Sequence, residues 1–216
     1  MNRLAPIMDF DQKAEQWDKD PVKIQRAKVF AERIVGQIHP RPSRKALEFG
    51  CGTGQVSFFL KDHFGKITLV DNSAGMIEVL KKKIRSGGID NMEPFFLDIF
   101  HDPLPVKDLD VIFTLMTLHH IPEIEKALEI LHAAIAPDGY LCIGDLLKED
   151  GSFHDFTPEF KGHHGFSREY LKTLLAKKGF REIYYELFFE IEKREGDQIK
   201  KYPLFFLLAE KEPVQK

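Results

Sequence analysis

The stretch Lys45-Ala46-Leu47-Glu48-Phe49-Gly50-Cys51-Gly52-Thr53-Gly54-Gln55 decides how the rest of the chain is read. Its first five residues have the length and apolar content of a strand. Three alternating glycines follow, and then a helical pattern that turns Val56, Phe59 and Leu60 inward. A glycine loop between strand and helix lets a ligand approach the backbone closely and meet the amide N–H groups of the helix N-terminus. The dinucleotide fingerprint G-x-G-x-x-G accepts Gly50 and Gly52 but asks for a third glycine where Gln55 stands. Glu48, just before the loop, favours a ligand that carries positive charge.

Working outward, Lys66 to Asp71 reads as a second strand that ends on an acid, about 20 positions after Gly50, the spacing at which a carboxylate meets ribose hydroxyls. Ser73 caps a helix whose Met76, Ile77, Leu80 and Ile84 form one stripe. A third strand, Glu93 to Asp98, again ends on an acid, placed to accept from an adenine amino group or simply to cap a turn. Leu109 to Leu115 is a continuous apolar run, as in a strand buried on both faces. Pro122 opens a helix with Ile124, Leu128, Leu131 and Ile135 inward, closed by Pro137-Asp138-Gly139, and Tyr140 to Leu147 is a fifth strand. This alternation predicts an α/β fold, a parallel sheet with helices on both faces.

The flanks extend that core. Asp20-Pro21 starts a helix with Ala27, Phe30, Ala31, Ile34 and Ile38 on one face and Lys23, Arg26 and Arg33 on others, ended by Pro40 and Pro42. Ser167 to Lys178 is a helix stopped at Gly179. Glu182 to Ile191 and Pro203 to Glu210 form a hairpin around Glu195-Gly196-Asp197, expected to join the sheet edge antiparallel.

Four ordered blocks carry a family resemblance. Ala46 through Gly54 resembles the first motif of class I S-adenosylmethionine-dependent methyltransferases, and Leu69-Val70-Asp71-Asn72-Ser73-Ala74-Gly75-Met76 resembles their second block. Leu115-Met116-Thr117-Leu118-His119-His120-Ile121-Pro122 and Leu131 through Gly139 are similar to later blocks of the small-molecule branch, the ubiquinone/menaquinone methyltransferase-like group. The resemblance spans about residues 10 to 180. It implies a Rossmann-like three-layer sandwich on a seven-stranded, mostly parallel sheet, with S-adenosylmethionine as cofactor. Implied cofactor residues are Glu48 with the backbone of Gly50, Cys51, Gly52 and Gly54 for the methionine part, Asp71 for the ribose, and Asp98 with Ile99 for the adenine. Asn72 departs from the apolar residue usual beside the ribose acid, and Met76 can supply that packing. Leu115 lines the same crevice, and Trp17, ahead of the first helix, can close over it. The expected organisation is one domain: 1–40 a helical lid, 43–147 the cofactor core, 148–180 the acceptor loop and helix, and 181–216 the hairpin.

His119 and His120 follow the fourth strand at the crevice and are the catalytic candidates. In an extended chain they point to opposite faces, so only one reaches the acceptor. Phe153, His154, Phe156, His163 and His164 lie in the loop where related enzymes build the acceptor pocket, and they suit a flat or apolar molecule with one polar handle. A metal held by His154, His163 and His164 near Asp155 lacks any H-x-x-E-H or cysteine pairing, and no metal is expected. Lys81-Lys82-Lys83-Ile84-Arg85 reads as a solvated helix face.

Composition narrows the function classes. The 216 residues carry 31 basic and 34 acidic side chains, a net charge of −3, which offers no basic excess for a nucleic-acid partner. Two cysteines cannot frame a disulfide scaffold. No run is long and apolar enough for a leader or a membrane span, so a cytoplasmic monomer or homodimer is expected. Leu115-Met116-Thr117-Leu118 also lacks the Asn/Asp-Pro-Pro-Tyr/Phe pattern of methyltransferases that act on base or glutamine nitrogens. The expected reaction is methyl transfer to a small, apolar or aromatic acceptor, with the attacked atom open. The alternatives are a non-catalytic module that binds the cofactor or a partner, and a nicotinamide-dependent oxidoreductase, which Glu48 and Gln55 disfavour.

Overall fold

The computed structural model describes residues 10–154, 160–195 and 198–212. Asp155 and Phe156 of the expected acceptor loop lie outside the described residues, as do Gly196 and Asp197 of the hairpin turn. Along the chain run α1 (Phe10–Trp17), α2 (Pro21–Ile38), β1 (Lys45–Phe49), α3 (Gln55–Leu60), β2 (Lys66–Asp71), α4 (Ala74–Gly87) and β3 (Met92–Phe96). They are followed by β4 (Leu109–Leu115), α5 (Ile124–Ala134), β5 (Ile135–Leu146), α6 (Arg168–Lys177), β6 (Phe180–Glu195) and β7 (Gln198–Lys211). The strands form one seven-stranded sheet in the order β3-β2-β1-β4-β5-β7-β6. Strands β1 to β5 pair in parallel, and β7 runs antiparallel to both of its neighbours.

Two buried clusters make the three layers. One joins Ala27, Phe30, Ile34 and Leu80 of α2 and α4 to the sheet, and the other joins Leu128, Leu131, Leu171 and Leu175 of α5 and α6 to its opposite face. The central part of β7 shows why a strand can serve both: Leu204, Phe206 and Leu208 belong to the first cluster and Phe205, Leu207 and Ala209 to the second. Side chains on a strand alternate faces, so a continuous apolar run is what a strand covered on both sides requires. The order turns back between β1 and β4, and ligands of open α/β sheets bind outside the strand carboxyl ends at such a point.

Several sequence expectations shift in detail. Trp17 does not precede the first helix but ends it, because α1 forms ahead of Asp20. Phe59 is 40% exposed, and Ser57 is buried instead; α3 is short, and its inner face meets the Glu48 carboxylate rather than more core. Arg26 is buried, with an unpartnered Nε, rather than placed on an outer face. Its pKa is pushed down to about 10 by burial, against the pull of Asp20 and Asp145. The Pro137-Asp138-Gly139 turn falls within β5, with Asp138 at φ 60°, and α5 stops earlier at Ala134. Strand β3 ends at Phe96, which leaves Asp98 in the following loop.

Candidate cofactor and acceptor sites

The glycine loop is shaped by its backbone. Gly50 and Gly52 sit at φ +66° and +51°, where a side chain is strained. A Cβ on Gly50 would come within 2.2 Å of Thr117 Cγ2, so the loop after β4 packs directly on the loop after β1. The Gly50 and Cys51 amides both donate to the Val70 carbonyl, at 2.9 and 3.1 Å, which ties the loop to β2. Gly52 N donates to Asp71 Oδ2 at 2.7 Å, and Ser73 N donates to Asp71 Oδ1 at 2.9 Å. A carboxylate offers about four acceptor sites, so two remain for a ligand diol. Burial raises the Asp71 pKa, opposed by the Gly52, Ser73 and Asn72 amides. Above Gly52 an added Cβ would meet only Met76 Sδ, at 3.8 Å, so the loop presents open room beside the carboxylate.

Glu48 is the other half of this site. It is 3% exposed and accepts from Ser57 Oγ at 2.5 Å and Ser57 N at 3.2 Å. Burial drives its pKa up to about 8 despite those bonds, and Asp71 adds to the rise. Buried acids take up a proton unless a cation compensates them. Glu48 and Asp71 together therefore suit a ligand with a positive centre and vicinal hydroxyls, and the residues present fit S-adenosylmethionine. Cys51 is buried with its thiol pKa raised well above the ordinary value, chiefly by burial, so it contributes backbone rather than a thiolate.

Helix α1 covers the loop through two acids. Asp11 accepts from Ser73 Oγ at 2.6 Å and Gly75 N at 2.8 Å, adding a second cap to α4. A Cβ on Gly75 would strike the Asp11 backbone at 2.8 Å, which is why a small residue stands there. Asp18 accepts from Thr53 Oγ1, Gln55 Nε2 and Lys83 Nζ at 2.6, 2.8 and 2.6 Å. Burial opposes its ionisation, but these partners outweigh it and hold the carboxyl below its ordinary range. Lys83 also donates to the Thr53 carbonyl at 2.9 Å. It is thus an anchor of the cofactor loop, not part of a solvated face. Trp17 is half-buried, edge-on to Phe10, with Lys23 Nζ 4.3 Å from its ring centre.

The remaining cofactor candidates divide. Met76, Cys51 and Ile99 are buried, Leu115 is half-buried and Asn72 is exposed. Asp98 spends its carboxylate locally: Phe100 N donates to Oδ1 and the His101 ring meets Oδ2, both at 3.0 Å. It caps a turn, one of the two roles the sequence allowed, and like Asp71 it keeps further acceptor positions.

On the acceptor side, Leu118, His119 and His120 form a 3-10 turn after β4 rather than an extended segment. The two rings therefore lie together, 4.0 Å between centroids, instead of facing apart. His154 joins them, 5.3 Å from His119 and 5.1 Å from His120, with Phe160 stacked on it at 4.0 Å. Phe10 of α1 meets His120 edge-on at 5.5 Å, so α1 reaches this cluster as well. Phe153 stands edge-on to both His119 and His154. Burial, then His119, His154 and Lys13, push the His120 pKa down to about 2, so this ring is neutral in the folded protein.

His163 and His164 do not join the cluster. His163 Nε2 bonds the Ile121 carbonyl at 3.0 Å, and its backbone N–H donates to the His119 carbonyl at 2.7 Å. His164 faces Glu149 at 3.5 Å, toward solvent. Sequence reasoning missed Asp145 altogether. It is fully buried on β5, with His119 Nδ1 at 2.5 Å from Oδ1 and His119 N donating to Oδ2 at 3.2 Å. The available signal was an acid inside the otherwise apolar run Leu141-Cys142-Ile143-Gly144-Asp145-Leu146-Leu147.

A Rossmann-like sheet with a glycine loop at its turning point and an acid at the end of β2 defines a nucleoside-binding class. Comparison with known proteins narrows it. Residues 47–141 match the family model described as a methyltransferase domain. Methyltransferase GfsG of Streptomyces halstedii is 26% identical over 152 residues, which cover 68% of this chain and 55% of that protein. The ubiquinone/menaquinone biosynthesis C-methyltransferase UbiE of Brucella suis is 28% identical over 125 residues, covering 54% and 46%. The chain spans about half the length of the first curated relatives it matches. A methyltransferase of Aquifex aeolicus, described as SAM-dependent, has the same fold, with TM-score 0.67 at 23% identity over 93% of this chain and 98% of that one. Residues 47–141 are thus similar to a methyltransferase domain, and the fold is that of solved methyltransferases. Among the described residues, no helix is long and apolar enough to cross a membrane.

Proposed function

We propose that this protein transfers the methyl group of S-adenosylmethionine to a small, apolar or aromatic acceptor with one polar handle. The observation that carries the reading is the junction of two unlike sites across the Gly50–Thr117 contact. On one side lie a buried acid without a cation and a ribose-type carboxylate, and on the other a wall of His120, His154, Phe153 and Phe160. The bound cofactor supplies an electrophilic methyl on a sulfonium that departs as a neutral thioether. The chain supplies position and dryness, which convert a bimolecular encounter into an aligned one.

Asp71 and the Gly52 amide orient the nucleoside end, and Glu48 balances positive charge within the fold. Phe10, Phe153 and Phe160 exclude water from the reacting end. Of the two histidine candidates, we assign the handling of a proton to His119. A ring held neutral down to about pH 2 is too weak a base, so His120 acts by accepting a hydrogen bond from the acceptor's handle. His119 is oriented by Asp145 through Nδ1, with Nε2 left as its acceptor. Similar proteins are named for acceptors as different as 27-O-demethylrifamycin SV and malonyl-[acyl-carrier protein], so the acceptor here is argued from the pocket wall alone.

The test is a panel of phenols, thiols, amines and carboxylic acids assayed for methyl transfer, with cofactor binding measured in parallel. Product from one class, lost in His120→Ala with cofactor affinity intact, supports the reading. Cofactor binding with no product from any acceptor supports a non-catalytic module instead. Nicotinamide binding without S-adenosylmethionine binding overturns both.

A further inference from the structure

Three histidines that sequence reasoning did not group make up the one set of three or more potential metal ligands among the described residues. His119, His120 and His154 each offer one ring nitrogen, and these atoms all lie within 4.8 Å of one another. His119 and His154 are buried and His120 is half-buried, so the set is enclosed by protein rather than spread over a surface. Phe10, Phe153 and Phe160 wall it, with Phe160 stacked on His154 at 4.0 Å. Imidazole rings gain little from each other in such a setting, because each nitrogen needs a polar partner once water is gone.

Asp145 gives the cluster its direction. Its carboxylate takes His119 Nδ1–H at 2.5 Å and the His119 amide at 3.2 Å, which fixes the tautomer and leaves the Nε2 lone pair facing outward as a ligand atom. That Nε2 is buried without a hydrogen-bond partner. A carboxylate behind a histidine whose other nitrogen faces a cluster of imidazoles is the outer-shell arrangement that orients metal ligands and raises their basicity. The segment that carries Phe160, which stacks on His154, packs on the same turn. A Cβ on Gly162 would come within 2.1 Å of the His119 carbonyl, and His163 N donates to that same carbonyl at 2.7 Å.

We propose that His119, His120 and His154 form a binding site for a divalent transition-metal cation of the zinc type, held by three imidazole nitrogens with Asp145 as the orienting outer partner. The donor chemistry excludes magnesium and calcium, which take oxygen ligands. Three nitrogen donors at about 2.0–2.1 Å from a tetrahedral ion stand about 3.3 Å from each other, so ring movements of about 1 Å bring this set to binding distance. Three protein ligands leave one place open, as in catalytic rather than structural zinc sites. That place would take the acceptor's oxygen, nitrogen or sulfur, so with the ion bound the handle meets the metal in place of the His119 and His120 rings. This last step rests on the methyl-transfer reading, whereas the metal site does not.

The full chain, stripped with chelator and dialysed, is titrated with Zn²⁺ and with Co²⁺. Affinity is followed by competition with a chromophoric chelator, and coordination by the visible Co²⁺ spectrum. One equivalent bound in the micromolar range or tighter, with the strong absorption of a four-coordinate site, is the expected result. His154→Gln and His120→Gln should each weaken Zn²⁺ at least tenfold. Asp145→Asn should weaken it about 10–100-fold, as loss of an outer-shell partner does. The surface variant His101→Gln should bind as the parent does. Circular dichroism and cofactor binding check each variant's fold, and the wild-type Co²⁺ spectrum stands even if a variant fails to fold. No stoichiometric binding by the wild type overturns the site, as does binding that survives in His120→Gln/His154→Gln. Glu48→Gln separates the two readings: it should weaken S-adenosylmethionine and leave Zn²⁺ affinity unchanged.

Discussion

The cofactor crevice and the histidine cluster lie on either side of the Gly50–Thr117 contact and are built in opposite ways. The crevice is mostly backbone: three left-handed glycines, amides that converge on Val70 and Asp71, and one buried acid behind them. The cluster is all side chain, drawn from the turn after β4, from β5 and from the loop before α6. Each gathers groups that burial keeps uncharged, Glu48 in one and His120 in the other. Burying Glu48 without an opposite charge is unfavourable for stability and is retained where a ligand supplies that charge, whereas a neutral imidazole is the form that ligates a cation. Backbone sites recognise a common cofactor, while side-chain sites can be exchanged to recognise a particular acceptor.

The sharpest way to break the comparison is Asp71→Ala. Two charge-assisted hydrogen bonds at about 1.5–3 kcal/mol each would be lost, so S-adenosylmethionine should bind about 100-fold more weakly or worse. Isothermal titration measures this, and a change under fivefold would mean that the nucleoside does not sit on Asp71.

The next largest effect concerns protons. Glu48 holds a proton up to about pH 8 in the ligand-free fold, so binding a cationic ligand should release it. Affinity should then rise about tenfold per pH unit from roughly pH 6 to 8, and titrations in buffers of different ionisation enthalpy should show the proton. The folding sign follows the same shift. The folded pKa is raised above the ordinary 4.5, so stability should fall as pH rises from that value to about 8, and Glu48→Gln should remove the fall. A Glu48→Gln protein with the parent's pH dependence in both respects would contradict the assignment.

The contact between the two regions is tested by Gly50→Ala. A side chain at φ +66°, within 2.2 Å of Thr117 Cγ2, should lower unfolding stability by about 2–3 kcal/mol. Adding Thr117→Ala should recover part of that loss in urea unfolding, because the clash is relieved and the backbone strain is not. The smallest effect belongs to the lid. Asp18→Asn weakens a half-buried ion pair with Lys83 and should cost about 1 kcal/mol, seen as faster amide exchange across α1 with the sheet unaffected. Equal exchange in both proteins would show that α1 is held by its apolar contacts alone.

Much of the crevice was legible in advance because its signals are local. Alternating glycines at a strand end, an acid at the end of the next strand and a serine cap each act within a few residues of themselves. Asp71, Ser73 and the stripe Met76, Ile77, Leu80 and Ile84 stand as their spacing indicated. Reading was poorer wherever a long-range partner set the outcome. Arg26 and Lys83 sit at positions that a helical wheel assigns to solvent, yet one is buried and the other bonds Asp18 and Thr53. Asp98 resembles Asp71 as a strand-end acid, but β3 stops two residues earlier and its carboxylate turns to its own loop.

The sequence by itself determined the parallel sheet and the glycine loop with its strand-end acid at the turning point, because periodicity, glycine spacing and strand-end acids encode them within short windows. Only the tertiary structure decided which histidines meet. His119 and His120 come together because the chain tightens into a 3-10 turn, and His154 reaches them from a distant loop, while His163 and His164 are drawn off to a carbonyl and to Glu149. Asp145 completes the set from the adjacent strand. Proximity across a sheet edge depends on register and loop packing, which no local pattern in one chain records.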